Sequence, residues 1–493
     1  MSNTTFSLIL QGIDIRQNLS AIRQEIKTPE IKAQLRKELS SHIPELIALL
    51  SNEDAKTRKN AALFMGDMGN YDFLDALFQS YKSEEKLFVK SAYLTALSSF
   101  DCSEYLPELK ERIQELSDTP LTIENTKHIQ EELRSLSKLI ILEEGMEPHT
   151  FTGYNYPLDC ILLTNKLYKE LIESEITDGE IVPFGAGVRI VTDNLADLLD
   201  IRTYSELLLV VPGLTTITND PVHAAKALAN SNLLMLLRST HKEKTPFYFR
   251  IELKSKMALD IKSKFSKKLA SELEHLTNRS LLNSTSNYEV ELRLIENKLG
   301  TFNVLLKLLT IPDHRFSYRR ESVAASIRPV NAAQLVALAK DYMIEDSRTL
   351  DPFCGVGTLL IERQKIVKGN TSYGIDFYAP AIDKARINTE AAGQIVHYIN
   401  RNFFEFTHEY KFDEIFTNMP FATGHKSEDE IQVLYQDFFP KAKEVLTNTG
   451  TIIMYSHNAE LVRELSIRYE FNIVESYEIM PREGTWLFII KYQ

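Results

Sequence analysis

The sequence predicts a multidomain protein of three parts: an N-terminal α-helical repeat, a central α+β region and a C-terminal doubly wound α/β sheet of seven strands. Three observations predict it. Residues 1–145 hold little Gly or Pro and show a helical pattern recurring at about 31 residues. Residues 151–315 mix short β-rich runs with amphipathic helices, and from 316 onward seven β-rich runs alternate with helical patterns. At 493 residues the chain has room for about three domains, and 44% hydrophobic with 25% charged residues is ordinary for a packed globular protein. No apolar run approaches the roughly 18 residues a bilayer span needs. The N-terminus, MSNTTFSLIL, lacks a basic n-region and a small-residue cleavage site, so a cytoplasmic protein without membrane attachment is expected. Cys102, Cys160 and Cys354 are odd in number and far apart, which disfavours a disulfide framework or a zinc site, and no metal is expected.

In the first part, IPELIALL (43–50), FLDALFQSY (73–81) and YLPELKERI (105–113) recur, with NAALFMGDMG (60–69) and SAYLTALSSF (91–100) in register between them. Helix pairs at this period cannot bury their faces alone and must stack on neighbours. The pattern resembles short HEAT or armadillo-type repeats.

The middle part opens with LDCILLT (158–164) as a strand, NKLYKELIESEI (165–176) as an amphipathic helix and GVRIVT (187–192) as a strand. PFYFRIEL (246–253) begins a second alternation, followed by a helix with Ile261, Phe265, Leu269, Leu273 and Leu276 on one face. YEVELRLIE (288–296) and FNVLLKLL (302–309) flank a turn at Gly300. This β-α-β-β order predicts helices on one face of an antiparallel sheet. The net charge of −12 argues against a nucleic-acid partner, but its distribution does not. Residues 238–328 carry 18 Lys and Arg against 10 Asp and Glu, whereas 1–145 carry 17 against 23. Lys262, Lys264, Lys267 and Lys268 lie off the apolar stripe of their helix, as a solvated face or as a contact to an RNA backbone.

In the last part RTLDPF, SYGIDF, HYINRNF, DEIFTNMPF, TIIMYSH, NIVESYEIM and WLFIIKY are the strands, and a ligand is expected at their carboxyl ends. DPFCGVGT (351–358) joins the first strand to a helix, with glycines that let a ligand approach the backbone. It lacks the GxGxxG of a dinucleotide site and carries Asp351 instead, which suits an ammonium group and repels a pyrophosphate. Nineteen residues after Gly357, Asp376 ends the next strand, where a carboxylate can accept from both ribose hydroxyls. Asn402 and Phe403 follow the third strand and could bond and cover an adenine. TNMPFA (417–422) ends the fourth. There an Asn side-chain oxygen and the next carbonyl can hold both hydrogens of a base amine and aim its lone pair at an electrophilic methyl, with Phe421 stacked on the extruded base. Such a transfer needs positioning above all. His425 and Lys426 read as a solvated loop, His457 as a packed histidine and Trp486 as core.

DPFCGVGT, GID and NMPF, preceded by FSYRRESVAASIRPVNAAQLVALA (316–339), resemble the class I SAM-dependent methyltransferases that accompany THUMP domains, whose members methylate tRNA or rRNA, most often guanine N2. The resemblance is strong over 316–493, moderate over 151–310 and absent over 1–145. It implies a Rossmann-like catalytic domain at 316–493, a ferredoxin-like and THUMP-like RNA-binding region at 151–315, and a HEAT-like appendage at 1–145 that could hold a protein partner or a second copy of the chain. It implies S-adenosyl-L-methionine as cofactor, held by Asp351, Phe353, Gly355, Gly357, Thr358, Asp376, Asn402 and Phe403, with the segment from Arg328 to Asn331 closing the pocket from the side. Asn418, Met419, Pro420 and Phe421 would take the target base, and Arg319 and Arg320 join the lysine row as RNA contacts. Two departures stand out: Met419 replaces a proline of the family's loop, and Asn402 replaces an acidic residue. Adenine N6 of RNA or DNA is the alternative substrate, and a degenerate, non-catalytic RNA-binding scaffold is the alternative role.

Overall fold

The computed structural model describes residues 4–120, 122, 125–145, 148–177, 179–324, 326–422 and 427–492. His425 and Lys426 lie outside the described residues. The chain forms two compact units, Met1–Pro148 and His149–Gln493.

Every described element of the first unit is a helix. The repeat segments fall on helices Ile43–Ala48, Leu74–Ser83 and Leu106–Asp118, and the intervening ones on Ala55–Met68 and Leu87–Leu97. These last two helices pack backbone to backbone: a Cβ on Gly66 would lie 2.5 Å from the Cα of Ala96. Glu132, on the closing helix Thr126–Glu144, is fully buried and accepts from the Tyr81 hydroxyl at 2.8 Å and from Arg112 Nε at 2.9 Å. One carboxylate thereby ties three helices together.

The second unit contains two sheets. The first has strands β1 (Leu158–Leu163), β2 (Glu180–Phe184), β3 (Gly187–Thr192), β4 (Glu206–Val210), β5 (Thr216–Ile217), β6 (Phe247–Lys254), β7 (Leu281–Asn283), β8 (Val290–Glu296) and β9 (Phe302–Leu308). Their order is β2-β3-β1-β4-β9-β8-β6-β7, with β5 on β9. Two expectations need correction. The sheet is mixed rather than antiparallel, because β6 pairs in parallel with both β7 and β8 across the helix Leu259–Leu276. That helix buries Phe265, Leu269 and Leu273, while Ile261 and Leu276 at its ends are exposed. Of the helix expected over 165–176, only Glu170–Glu173 forms. Asn165 Nδ2 donates to Ile479 O and the Tyr168 hydroxyl to Glu478 O, both at 2.9 Å, so tertiary bonds hold this stretch as a turn against its helical pattern.

The second sheet comprises β10 (Arg348–Asp351), β11 (Thr371–Asp376), β12 (His397–Asn400), β13 (Phe412–Asn418), β14 (Leu446–Ser456), β15 (Phe471–Met480) and β16 (Thr485–Tyr492). All seven expected strands are present, in the order β12-β11-β10-β13-β14-β16-β15. Only β16 runs antiparallel to its neighbours. The order reverses between β10 and β13, which opens a crevice at their carboxyl ends. Behind it, Arg363 and Glu414 form a fully buried ion pair at 3.0 Å, and Arg363 also donates to Val367 O, Ile344 O and Ser347 Oγ.

Candidate active site

A cavity of about 290 Å³ fills that crevice. Asp351, Phe353, Gly355 and Thr358 line it from the loop after β10, Asp376 and Phe377 from the end of β11, Asn402 and Phe404 from beyond β12, and Asn418 to Phe421 from the end of β13. The sheet register brings the strand ends together: Asp351 pairs with Gly374, and Asp376 with Asn400.

Asp351 is 1% exposed and lies at the cavity floor. Its Oδ1 accepts from Thr417 Oγ1 at 2.7 Å and from Phe353 N at 3.1 Å, and Oδ2 receives no bond among the described residues. Burial pushes its carboxyl up to about 7, against the pull of those two donors. A cationic group in the cavity would offset that cost directly.

The loop that follows is held by its glycines. Gly355 has φ +52 with open space where a side chain would stand, so a ligand can approach its backbone. Gly357, at φ +79, caps the helix Thr358–Ile366, and a Cβ there would lie 2.1 Å from the Tyr398 hydroxyl. Gly357 therefore shapes the loop without lining the cavity. Asp376 fastens both ends of the site: Oδ2 accepts from Gly355 N and Oδ1 from Tyr378 N, each at 2.9 Å. Each oxygen keeps a lone pair for a ligand hydroxyl.

Asn418 carries the sharpest signal. Its Oδ1 is buried and has no hydrogen-bond partner among the described residues. An orphaned buried acceptor costs about 1–3 kcal/mol, so a native one at a cavity wall marks a place where a ligand donor belongs. Next to it Met419 is fully buried in the hydrophobic core, and its N–H donates to Tyr455 O at 2.9 Å. The core contact and this bond anchor the loop where a proline is missing. Phe421 stacks on His457 with ring centroids 4.0 Å apart and planes 17° apart, so one face of the phenyl ring is covered. Burial lowers the pKa of His457, as suits a packed histidine. Trp486 is half-buried in β16 against the core.

Besides Gly357, three expected positions come out differently. Phe403 is buried in the core against Phe353 and Phe438, and Phe404 lines the cavity in its place. The cause is a short 3-10 turn, Phe403–Glu405, capped by Asn402 Oδ1 accepting from Phe404 N at 3.2 Å, which rotates the second phenylalanine outward. Arg328 does not line this cavity; Val323, Ser326 and Ile327 do. Arg319 is half-buried and donates to Thr358 Oγ1, while Arg320 is exposed. In the lysine row, Lys264 pairs with Asp260 at 3.7 Å and Lys268 with Glu272 at 2.6 Å. Phe377, 68% exposed at the cavity mouth, went unremarked in the sequence although it directly follows Asp376.

Residues 317–481 match the family described as RMKL-like, methyltransferase domain, and residues 25–122 match HEAT repeats. No curated protein matches the chain. Among solved structures, the fold is similar to TrmN from Thermus thermophilus, at 19% identity and a TM-score of 0.51 over 68% of this chain and all of that one. It is also similar to a predicted N6-adenine-specific DNA methylase from Listeria monocytogenes, at 17% identity and a TM-score of 0.50 over 68% of this chain and 96% of that one. A third is SMU.472, solved in complex with SAH, at 14% identity and a TM-score of 0.51 over 68% of this chain and 98% of that one. The C-terminal segment is a methyltransferase domain with the class I fold, the N-terminal one contains HEAT repeats, and a domain of this kind takes S-adenosylmethionine as cofactor. The cavity fits that cofactor: a buried carboxylate oxygen for its ammonium group, an open glycine loop beside it, the bonded Asp376 for ribose hydroxyls, and Asn402 with two phenylalanines at the far end. Among the described residues no helix is long and apolar enough to cross a membrane, and no three ligating side chains are grouped as a metal site would need.

Proposed function

We propose that the protein methylates an exocyclic amine of a nucleic-acid base, guanine N2 in a structured tRNA or rRNA. The unpartnered Asn418 Oδ1 at the cavity wall is the observation that carries this reading. S-adenosylmethionine supplies an electrophilic methyl on a sulfonium. Asn418 Oδ1 takes one amine hydrogen and the Met419 carbonyl the other, which turns the nitrogen lone pair out of conjugation and toward the cofactor side of the cavity. The free face of Phe421 stacks on the extruded base and excludes water. Methylation makes the amine acidic, so the proton can leave to solvent, and His457 is not needed as a base.

The basic central region would dock the RNA backbone through Lys262, Lys264, Lys267 and Lys268, with Arg320 adding a contact from the catalytic domain. The acidic helical repeats fit a protein partner or a second copy of the chain better than RNA. Three buried, unpaired cysteines fit a reducing compartment such as the cytoplasm. Adenine N6 is the second reading, because the same two acceptors hold either amine and one structural relative is named for N6-adenine. Label from tritiated S-adenosylmethionine, followed by nucleoside identification in tRNA, rRNA and DNA, separates these. N2-methylguanosine supports the first, N6-methyladenosine the second. No transfer together with no cofactor binding would leave a non-catalytic scaffold.

A further inference from the structure

A second cavity, of about 450 Å³, borders the first. Ile327 lines one and Arg328, the next residue, lines the other. On the opposite side Phe421 lines the first cavity and stacks on His457, whose pKa burial lowers against the opposing pull of Glu483, a lining residue of the second. The walls are fixed by the seam between the two sheets. Gln334 Nε2 donates to Thr164 Oγ1 at 3.0 Å and to Thr203 O at 2.7 Å, while Asn165 and Tyr168 bond the end of β15.

Three cations, Lys166, Arg328 and Arg482, line this cavity, and all three are exposed. Among the described residues none of them has an ion-pair or hydrogen-bond partner, and Glu483 is the one carboxylate in the lining. The contrast is with four buried or half-buried arginines of the unit. Arg202, Arg293, Arg315 and Arg363 are all held by carboxylates at 2.5–3.0 Å. Guanidinium and ammonium groups left free around a rigid polar hollow lack only an anion.

We infer that this second cavity binds backbone phosphates of the nucleotides flanking the target, so that the methyl-accepting base is presented to Asn418 by a grip on its neighbours. The inference rests on the nucleic-acid reading above and adds to it a place and a chemistry: phosphodiester, bound by Lys166, Arg328 and Arg482 with Asn331 and Ser205 as neutral donors. Phosphate contacts position a substrate without reading its sequence, which suits an extruded base whose identity is read elsewhere.

The test uses the full-length protein and a fluorescein-labelled, unmodified tRNA transcript. Affinity is measured from low to moderate salt for the wild type, for Lys166→Ala, Arg328→Ala and Arg482→Ala, and for the triple variant. Each removal should weaken binding about three- to tenfold and lower the salt slope by about 1, and Arg328→Lys should recover most of the slope. Cofactor affinity, measured by calorimetry, should stay within about twofold and so report an intact fold. An unchanged slope in the triple variant would overturn the subsite. So would AMP competing as well as the polymer does, since the cavity would then hold a free nucleotide. A reduced slope without methyl transfer to any nucleic acid would instead sink the amine-methylation reading and leave the subsite standing.

Discussion

Asn418 and Asp351 are both buried polar groups kept at a structural cost, and each makes a separable prediction. Removing the Asn418 side chain takes away an acceptor that no described protein group uses. Asn418→Ala should therefore leave the fold and cofactor affinity intact while slowing methyl transfer at least about 100-fold. Asp351 behaves in the opposite way. Its carboxyl titrates at about 7 when folded and near 3.8 when unfolded. A raised carboxyl contributes a penalty that is absent below the unfolded value, grows as pH rises and is complete above the folded value. Asp351→Asn should thus stabilise the cofactor-free protein by about 4 kcal/mol at pH 8, with the gain vanishing below about pH 4, as melting curves across pH would show. The same substitution should abolish cofactor binding. In the wild type, cofactor affinity should fall about tenfold per pH unit below 7, because a neutral acid cannot pair with an ammonium group. At this scale the sequence marked residue types well and orientations poorly. Asp351, Asp376 and Asn418 were legible because strand ends and chemistry coincide. Phe403 and Phe404 were not, since a capped 3-10 turn decides which of two adjacent rings faces the cavity.

Among the elements, the loop after β10 and the helix behind it set the site's shape. Gly357→Ala should cost about 1–2 kcal/mol for its left-handed backbone alone, and more for the overlap with Tyr398. A lowered melting temperature, partly restored by adding Tyr398→Phe, would locate the cost in that overlap. Arg363→Met leaves Glu414 charged and unpaired in the core, for a loss of about 3–5 kcal/mol by denaturant unfolding. The seven strands of the catalytic sheet were legible because each is a buried, β-rich run between helical patterns. In the central sheet β2 and β4 passed unnoticed, the first exposed and Pro-containing, the second part of a plain leucine run. Parallel pairing of β6 with β8 depends on the crossover helix and leaves no mark in either strand's composition.

Over the whole molecule, charge counting indicated a basic region but could not show how much of that charge is spent internally. Arg250 is paired with Glu291, Arg293 with Glu206 and Glu291, and Arg315 with Asp313. Of the three cations at the second cavity only Arg328 belongs to the basic stretch, so the local excess did not point to that cavity. The repeats of the first unit were legible from their period; the Gly66 crossing and the buried Glu132 that hold them were not, because both depend on partners 20 to 51 residues away. The central claim is that Asn418 activates a base amine. It is tested most directly by single-turnover transfer of tritium from S-adenosylmethionine to an unmodified RNA substrate, comparing wild type with Asn418→Ala at saturating cofactor. The account predicts label in N2-methylguanosine for the wild type and a rate at least about 100-fold lower for the variant, with equal cofactor affinity. Equal rates would contradict it.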